Sequence, residues 1–243
     1  MKKLAVIGLL LGSTISFGQE KVKLRLNLNK GEKYQTHMKI NQVTEPTIME
    51  MEMKMEMLVE AKKSINYEVK NNFTYLSALN KHGAIKINYN SNMKEEELTP
   101  QDKKFADKMK PILETSIYLN MDRLGKSELI KLVPDVPEVT QLKDQISSVT
   151  YPEDAVGIGS TWVNVQKSNG ADMELTYKVT KIEKDFVFAD ITGKSSVLTG
   201  AIITGKLKID RKSGLPSTMT MNIDVSMMGV NMKTKSDISI KKI

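Results

Sequence analysis

The segment Gly200-Ala-Ile-Ile-Thr-Gly-Lys206 nearly matches the loop that binds phosphate groups in nucleotide-hydrolysing proteins. It has both glycines and the lysine, but Leu207 stands where a serine or threonine must hold magnesium. The apolar alternation continues through Leu207 and Ile209 and predicts a strand. A phosphate loop must instead open a helix, because the helix N–H groups converge on the anion. The sequence therefore does not predict a nucleotide site.

Cysteine and histidine, which serve many catalytic and metal sites, are nearly missing. The chain of 243 residues has no cysteine, which excludes disulfides, thiolate nucleophiles and cysteine-ligated metals. Its two histidines, His37 and His82, are predicted to lie on the polar face of a strand and in a glycine-containing turn. Neither has a second histidine at metal-ligand spacing, and no HExxH or GxSxG motif occurs. We therefore predict a protein that is not an enzyme and that holds no cofactor and no metal.

Methionine is the abundant residue type whose spacing could do chemistry. The chain has sixteen methionines, many of them as Met-x-Met. Thioether sulfurs bind Cu(I), so copper binding is one interpretation. Methionine is also an adaptable filler of cores, and methionine-rich surfaces repack around varied apolar partners. The candidate residues for an apolar-ligand surface alternate along two segments and are Met49, Met51, Met53, Met55, Met57, Met219, Met221, Ile223, Val225 and Met227.

Alternation with a period of two dominates the chain and predicts antiparallel strands. The methionines from Met49 to Met57 separate from the intervening Glu and Lys residues only in a strand, because a helix would mix the two sets around its axis. A two-residue turn at Met228-Gly229 sets Met219 opposite Ile238 and the apolar positions of both strands on one face.

Further strands are predicted on both sides of the long methionine segment. Val22 to Leu28 alternates and should form a hairpin through Asn29-Lys30-Gly31, with Leu28 opposite Glu32 and Gly31 in the left-handed region. Shorter strands, separated by turns at Asn71-Asn72 and Lys81-His82-Gly83, are predicted at Ile65–Val69, Phe73–Leu79 and Ala84–Tyr89.

Two short amphipathic helices are predicted to interrupt the strands. Thr99 as N-cap, Pro100 at the first helical position and Asp102 begin the first helix. Asp135 and Glu138 resemble a capping box for the second, which would bury Val139, Leu142 and Ile146. The predicted fold is mainly β: a long curved antiparallel sheet or half-barrel with two helices, in a single domain over residues 19–243.

The first eighteen residues have the pattern of a signal peptide. Lys2 and Lys3 precede an apolar stretch from Leu4 to Phe17, and Ser16 and Gly18 fit the cleavage site, so we expect cleavage before Gln19. The stretch is shorter than the roughly 20 residues of a transmembrane helix. We expect a soluble periplasmic or secreted protein without a transmembrane segment, and not a lipoprotein, because no cysteine can carry the lipid.

The basic charge does not indicate nucleic-acid binding. The formal net charge is +7, but 33 of the 36 basic residues are lysine, since only Arg25, Arg123 and Arg211 are arginine. Nucleic-acid readers rely on arginine's bidentate fork and on aromatic residues, which make up only 5% of this chain. The lysines fit solvated strand faces better.

The run Tyr151-Pro152-Glu153, followed by Val156-Gly-Ile-Gly-Ser-Thr-Trp162, resembles a motif of a family of secreted Bacteroidota proteins of unknown function. The segments 24–34, 121–126 and 213–216 also look like landmarks of that family, although Gly159-Ser160 replaces its usual Gly-Asp. The resemblance implies a location outside the cytoplasm and a single domain, and it carries no catalytic or ligand residues. The strand pattern and the Gly214-Leu215-Pro216 turn are similar to those of curved-sheet lipoprotein carriers, an analogy of fold alone.

These observations predict an exported envelope protein that binds an apolar ligand, such as a lipid, or a partner segment on a methionine-rich concave sheet face. One alternative is a protein-interaction module with a fully packed core that acts through its lysine-rich outer strands. The other alternative is methionine-based copper binding.

Overall fold

The structure is a computed structural model that describes residues 20–83, 85–136, 149–168, 171–198, 200–227 and 230–243, with the backbone alone for residues 85, 167, 168, 171, 227 and 230. It contains the helix α1 (Pro100–Glu114), a 3-10 turn (Glu95–Glu97) and twelve strands. The strands are β1 (Lys33–Thr44), β2 (Thr47–Lys63), β3 (Asn66–His82), β4 (Ile85–Asn90), β5 (Ser116–Met121), β6 (Ser127–Val133), β7 (Thr161–Ser168), β8 (Ala171–Ile182), β9 (Phe186–Ser195), β10 (Ile202–Asp210), β11 (Pro216–Met227) and β12 (Val230–Lys242).

All twelve strands belong to one antiparallel sheet that is not closed into a barrel. Its order is β6-β5-β3-β2-β1-β12-β11-β10-β9-β8-β7, and β4 pairs with β3 beside β5. The first and last strands of the chain, β1 and β12, meet in the middle, and β6 and β7 form the edges. The mainly β, open-sheet prediction is confirmed.

The methionine segment is a strand, as predicted. The strand β2 runs for 17 residues through the whole Met-x-Met stretch. The last hairpin also has the predicted register, with Met219 opposite Ile238, Val225 opposite Met232 and Met227 opposite Val230. In both segments the hydrophobic pattern determines the pairing, because a one-residue shift would turn every methionine to the other face.

The prediction of an N-terminal hairpin is wrong. Residues 23–29 form no strand, and Val22 makes an isolated bridge to Val156. Tyr34 pairs instead with Met57 and Lys242 on the neighbouring strands. Residues 22–32, named here the N-terminal strap, nevertheless alternate as predicted, since Leu24, Leu26 and Leu28 are buried in the core. A segment that lies between a core and solvent shows the same alternation as a strand, which explains the error.

The strap shows how strongly the sheet curves. The N–H of Leu26 donates to the carbonyl of Arg123, and the next N–H, of Asn27, donates to the carbonyl of Ser213, both at 2.8 Å. These carbonyls belong to the β5–β6 and β10–β11 turns. In a flat sheet the two turns would be at least about 24 Å apart, because five strand spacings separate β5 from β11. Consecutive residues can reach both turns only because the sheet bends around the strap.

Tyr151 makes a second bridge between the same two turns. Its N–H donates to the carbonyl of Leu124 and its hydroxyl donates to the carbonyl of Gly214, each at 2.7 Å. Breaks in strand register, at which a strand bends, occur in the β2–β3, β5–β6, β8–β9 and β10–β11 pairs. The segments 121–125 and 209–214 both contain Asp-Arg shortly before a glycine. They form the two turns that bond to the strap.

The prediction of two short strands at Ile65–Val69 and Phe73–Leu79 is also wrong in part. They are one strand, β3, and Asn71 and Asn72 lie inside it, opposite Met57 and Glu56. Thr74 has no partner on β2 and forms a bulge. Because of the bulge, the inward-facing residues have odd numbers before Thr74 and even numbers after it, as in Val69 and Leu76. Such a break in alternation next to two asparagines has the same sequence pattern as a turn between two strands.

The first helix begins as predicted. The hydroxyl oxygen of Thr99 accepts from the N–H of Asp102, and the Asp102 carboxylate accepts from the Thr99 N–H. Pro111 lies inside the helix, which ends at Glu114. The second predicted helix and the predicted signal peptide lie outside the described residues, apart from Asp135 and Val136.

The inner face of the sheet, which carries the core, is packed at one end and half-exposed at the other. At the packed end, the strap, the β5–β6 turn and the β10–β11 turn cover residues such as Val59, Val69 and Leu207, each at most 1% exposed. At the opposite end, the open end, the strands lead to the β1–β2 connection near Glu45. Burial along β2 follows this direction: Met49 to Met55 are half-buried, whereas Met57 and Val59 are buried.

Candidate apolar site on the inner face

The two predicted methionine stripes lie on the same face and in register. The sheet order places β1 and β12 between them, so the stripes are about 14 Å apart across three strand spacings. One row of paired residues crosses the gap and consists of Met53, Met38, Ile238 and Met219. The next row toward the open end consists of Met51, Ile40, Ser236 and Met221. These strands form an uncharged surface, named here the methionine face. Its first row is apolar throughout, Ser236 interrupts the second, and Gln42 and Thr234 lie between Met49 and Ile223 in the third.

The ten predicted site residues differ in exposure. Met57 and Val225 are 8% and 6% exposed and belong to the buried interior. The side chain of Met227 lies outside the described residues. The others are half-buried and available to a ligand: Met49, Met51, Met53, Met55, Met219, Met221 and Ile223.

Four half-buried residues of the methionine face are absent from the predicted site, although the predicted final hairpin placed Ile238 on the same face as Met219: Met38, Ile40, Met232 and Ile238. They come from β1 and β12, which lie between the predicted stripes. The alternation of apolar and polar residues predicts the direction in which each of these side chains points. Only the pairing of β1 with β12 shows that the two stripes share one surface. These two strands lie at opposite ends of the chain, so no local pattern reveals the pairing.

The two faces of the central strands differ completely in charge. On the inner face, the residues of β1 from Tyr34 to Thr44 and of β12 from Met232 to Ile240 are all uncharged. The outer face of the same strands carries charged groups, such as Lys235 paired with Asp237 at 3.1 Å and the Glu52 carboxylate, which lies 2.6 Å from His37 Nε2. A surface that excludes charge but stays half-exposed suits an apolar ligand.

Helix α1 forms one border of this face. The ring of Phe105 packs edge-on against Tyr89, with 5.5 Å between the ring centroids. Tyr89 pairs with Ala78, and Ala78 pairs with Met51, so the helix covers the part of the inner face beside the first methionine stripe. Its position gives the methionine face a wall along β3 and β4.

Polar atoms occur on the inner face as well, and four of them are buried and make no hydrogen bond of ordinary length. They are Thr44 Oγ1, Trp162 Nε1, Asn164 Nδ2 and the hydroxyl of Tyr177. Trp162 and Tyr177 stack face to face, with 4.9 Å between the ring centroids and 8° between the planes. Burial raises the pKa of Tyr177 to about 12 and outweighs the neighbouring Asn164 side chain, which lowers it, so the hydroxyl stays neutral near pH 7.

The two histidines lie on opposite faces of the sheet. His37 is on the outer face of β1 beside Glu52, and His82 Nδ1 lies 2.6 Å from Thr47 Oγ1 at the end of β3. No group of three or more His, Cys, Asp or Glu side chains suited to a metal ion occurs among the described residues. His82 pairs with Thr47 at the open end and is a diagonal neighbour of Met49, whereas His37 faces away from the methionine sulfurs.

Two surface cavities lie beside the methionine face. One, of about 380 Å³, lies between β4 and the start of α1 and is lined by residues including Lys86, Thr99 and Asp102. The other, of about 360 Å³, is polar and lies against β1 to β4, where Lys39 and Glu50 contribute to it. Met51 lines the second cavity, and the other described side chains of the two methionine stripes line neither cavity.

Comparisons with known proteins give no family. No family model matches the chain, and no curated protein sequence matches it. Among solved structures, the chain is similar to MucB in the crystal structure of MucB in complex with MucA(peri), at 9% identity over 86% of this chain and 89% of that chain, with a TM-score of 0.15. A TM-score of this size supports no argument about fold or function. None of the helices in the described residues is long and apolar enough to cross a membrane.

Proposed function

We propose that this protein binds the acyl chain of a lipid on its methionine face and acts without catalysing a reaction. The observation that carries the proposal is the continuous, uncharged and half-exposed row Met53–Met38–Ile238–Met219, which joins two stripes of methionine. Flexible thioether side chains adapt to apolar chains of varied shape. Contiguous exposed apolar surfaces of this kind mark ligand or partner sites.

We further propose that the protein acts outside the cytoplasm, in the periplasm or after secretion. The basic and apolar pattern of residues 1–18 supports export. The resemblance of residues 151–162 to secreted Bacteroidota proteins agrees with it. A lipid-binding face would give an exported protein a role in moving or holding acyl chains in the envelope.

Uptake of a hydrophobic fluorophore tests the binding proposal. Phenylnaphthylamine should brighten and shift to the blue with the purified protein, and palmitate should displace it. Met53→Glu and Met221→Glu place a carboxylate on the methionine face. A bound apolar ligand would then have to displace the water that hydrates this carboxylate. Each substitution should raise the Kd for the fluorophore at least about tenfold, which corresponds to about 1.4 kcal/mol of binding free energy.

Thr220→Glu is the matched control, because Thr220 neighbours both Met219 and Met221 but faces outward, opposite Asp237. It should leave uptake unchanged. Absence of uptake by the unaltered protein would refute lipid binding and would favour the interaction module. Equal losses in Thr220→Glu and Met221→Glu would place the site elsewhere.

A further inference from the structure

Three of the described strands, β4, β6 and β7, have one edge that pairs with no other described strand. A free edge presents a row of unpaired backbone N–H and C=O groups, to which a strand of another chain can pair. Proteins protect such edges with charged side chains, with a bulge or with a covering element. The three edges differ in these protections.

The edges of β4 and β6 are protected. The carboxylate of Asp102, at the start of α1, accepts from the backbone N–H of Asn88 on β4 at 2.7 Å, so the helix covers this edge. On β6, Ile130 has no partner on β5 and forms a bulge. The exposed side chains of Glu128 and Lys131 lie on either side of this bulge. Both edges are therefore poor templates for a further strand.

The edge strand β7 has none of these protections. Its pairing with β8 continues without a register shift from Thr161 to Ser168. Residues 161–166 include no charged residue and no proline. On the outer face, Val163 and Val165 are 52% and 53% exposed. An uncharged, regular edge strand with exposed apolar side chains is a site at which another strand is expected to pair.

The free backbone groups of β7 belong to the same two valines. The N–H of Val179 on β8 donates to the carbonyl of Ser160 at 2.9 Å. Hydrogen-bonded pairs recur at every second residue of an antiparallel ladder, so the even-numbered residues of β7 bond to β8. The N–H and C=O groups of Val163 and Val165 consequently point away from the sheet.

We propose that β7 pairs with the β7 of a second copy of this chain, antiparallel and with the two-fold axis at Asn164. In this register Val163 of each copy lies opposite Val165 of the other, and their free N–H and C=O groups bond to each other. Four exposed valine side chains then meet on the outer face. The contact is the same patch on both copies, as a two-fold dimer requires.

The composition of β7 favours a second copy over a strand of another protein. Because residues 161–166 are uncharged, the two copies bring no like charges opposite each other there. The register also keeps apolar side chains together on the outer face and places Asn164 and Gln166 on the inner face of both copies. The strands β8, β9 and β10 separate β7 from the methionine face, so the dimer leaves that face free and the inference goes beyond the proposed function.

Analytical ultracentrifugation of the purified protein over a range of concentrations tests the dimer. The unaltered protein should sediment as a dimer that dissociates on dilution. Val163→Lys and Val165→Lys remove apolar contacts and bring two lysines close to each other across the axis. Each should raise the Kd of the dimer at least about tenfold. Ile130→Lys is the matched control, because Ile130 is 50% exposed on the opposite edge strand, and it should leave the Kd unchanged.

Disulfide formation tests the register. The chain has no cysteine, so a single introduced cysteine can pair only with its counterpart in the second copy. Asn164→Cys places both thiols at the axis, in a pair with about 4.5 Å between the Cβ atoms, and should form a disulfide under mild oxidation. Gln166→Cys lies on the same face, but its two thiols would be about 13 Å apart along the strands and should not form a disulfide.

A monomer at every concentration, with no disulfide in Asn164→Cys, would overturn the inference and leave the lipid-binding proposal unaffected. Equal disulfide formation in Asn164→Cys and Gln166→Cys would overturn it as well, because it would indicate random collision. A dimer that is weakened by Ile130→Lys and not by Val163→Lys would place the interface at β6. Thermal midpoints show whether each variant is folded, and the two cysteine variants decide the question if a lysine variant is not.

Discussion

Glu32 shows how a single residue joins three parts of the chain. Its carboxylate accepts from Lys242 Nζ at 2.7 Å, from the hydroxyl of Tyr34 at 2.8 Å and from the backbone N–H of Asn29 at 2.9 Å. The strap, β1 and β12 are thereby connected at the packed end. The side chain is 16% exposed, so these bonds are largely shielded from water.

This arrangement makes part of the stability depend on pH. Burial on its own raises the pKa of Glu32, but the hydrogen bonds from Lys242, Asn29 and Tyr34 outweigh it and lower the pKa to about 2. A carboxyl group whose pKa is lower in the folded state stabilises the fold above its ordinary pKa of 4.5. That contribution decreases as the pH falls from there toward 2.

Glu32→Gln should therefore lower the free energy of unfolding by about 1–3 kcal/mol at neutral pH, because charge-assisted bonds are lost. The deficit should shrink as the pH approaches 2, where the native carboxyl group also becomes neutral. Urea unfolding curves of both proteins at several pH values measure this difference in the free energy of unfolding. Glu128→Gln is the control, since Glu128 makes an exposed pair with Lys126 worth less than about 1 kcal/mol. A deficit that is independent of pH would contradict the account.

At the scale of elements, the strap depends on a close approach at Gly214. This glycine has a φ of +73°, and a Cβ added to it would lie 2.0 Å from the carbonyl oxygen of Arg25 in the strap. The adjacent Ser213 carbonyl bonds to Asn27, so the strap cannot move away without losing that bond. The β10–β11 turn therefore requires glycine for two separate reasons.

Gly214→Ala should destabilise the protein well beyond the cost of the left-handed conformation, by about 3 kcal/mol or more. Gly159→Ala separates the two effects, because Gly159 has a φ of +87° with no atom within 4 Å of an added Cβ. It should cost only about 1–2 kcal/mol for the left-handed backbone. Thermal or urea unfolding of both variants measures the difference. Equal losses would show that the strap does not press on the turn.

Elements whose neighbours are close in sequence could be predicted, and those with distant neighbours could not. The strand through Met49–Met57, the final hairpin and the start of α1 at Thr99 follow from local alternation or capping. The strap was predicted as a strand because its leucines alternate, while its true partners, Arg123 and Ser213, lie about 100 and 190 residues away. The local sequence pattern shows which side of a segment is buried, but it does not show which distant residues cover that side.

The candidate site follows the same rule. Alternation placed Met49–Met57 and Met219–Val225 each on one face, but it could not show that β1 joins β12 between them. The buried polar atoms of Trp162, Asn164 and Tyr177 carry no signal in the sequence, because a polar residue among strands is usually solvated or bonded. Only the packing of the whole sheet shows them to be buried together.

At the scale of the whole molecule, the two faces of the sheet suit different environments. The outer face is charged and suits water, whereas the inner face is packed under the strap and half-exposed at the methionine face. An exported carrier of acyl chains needs this division, because it must remain dispersed in water while holding an apolar chain. The proposal therefore links the fold to export, and export is open to a direct test.

Expression of the full chain in a bacterial host with two membranes, followed by fractionation, checks export. We expect the protein in the periplasmic fraction or the medium, with an intact mass that corresponds to a start at Gln19, because Leu4–Phe17 should direct secretion and Ser16 and Gly18 should direct cleavage. Leu10→Arg places a charge in the apolar stretch and should leave the uncleaved precursor in the cytoplasm. Lys21→Arg, beyond the expected cleavage site, is the control and should be processed normally. If the unaltered chain stays in the cytoplasm at full mass yet binds phenylnaphthylamine, the lipid-binding face serves an intracellular ligand and the export proposal is wrong.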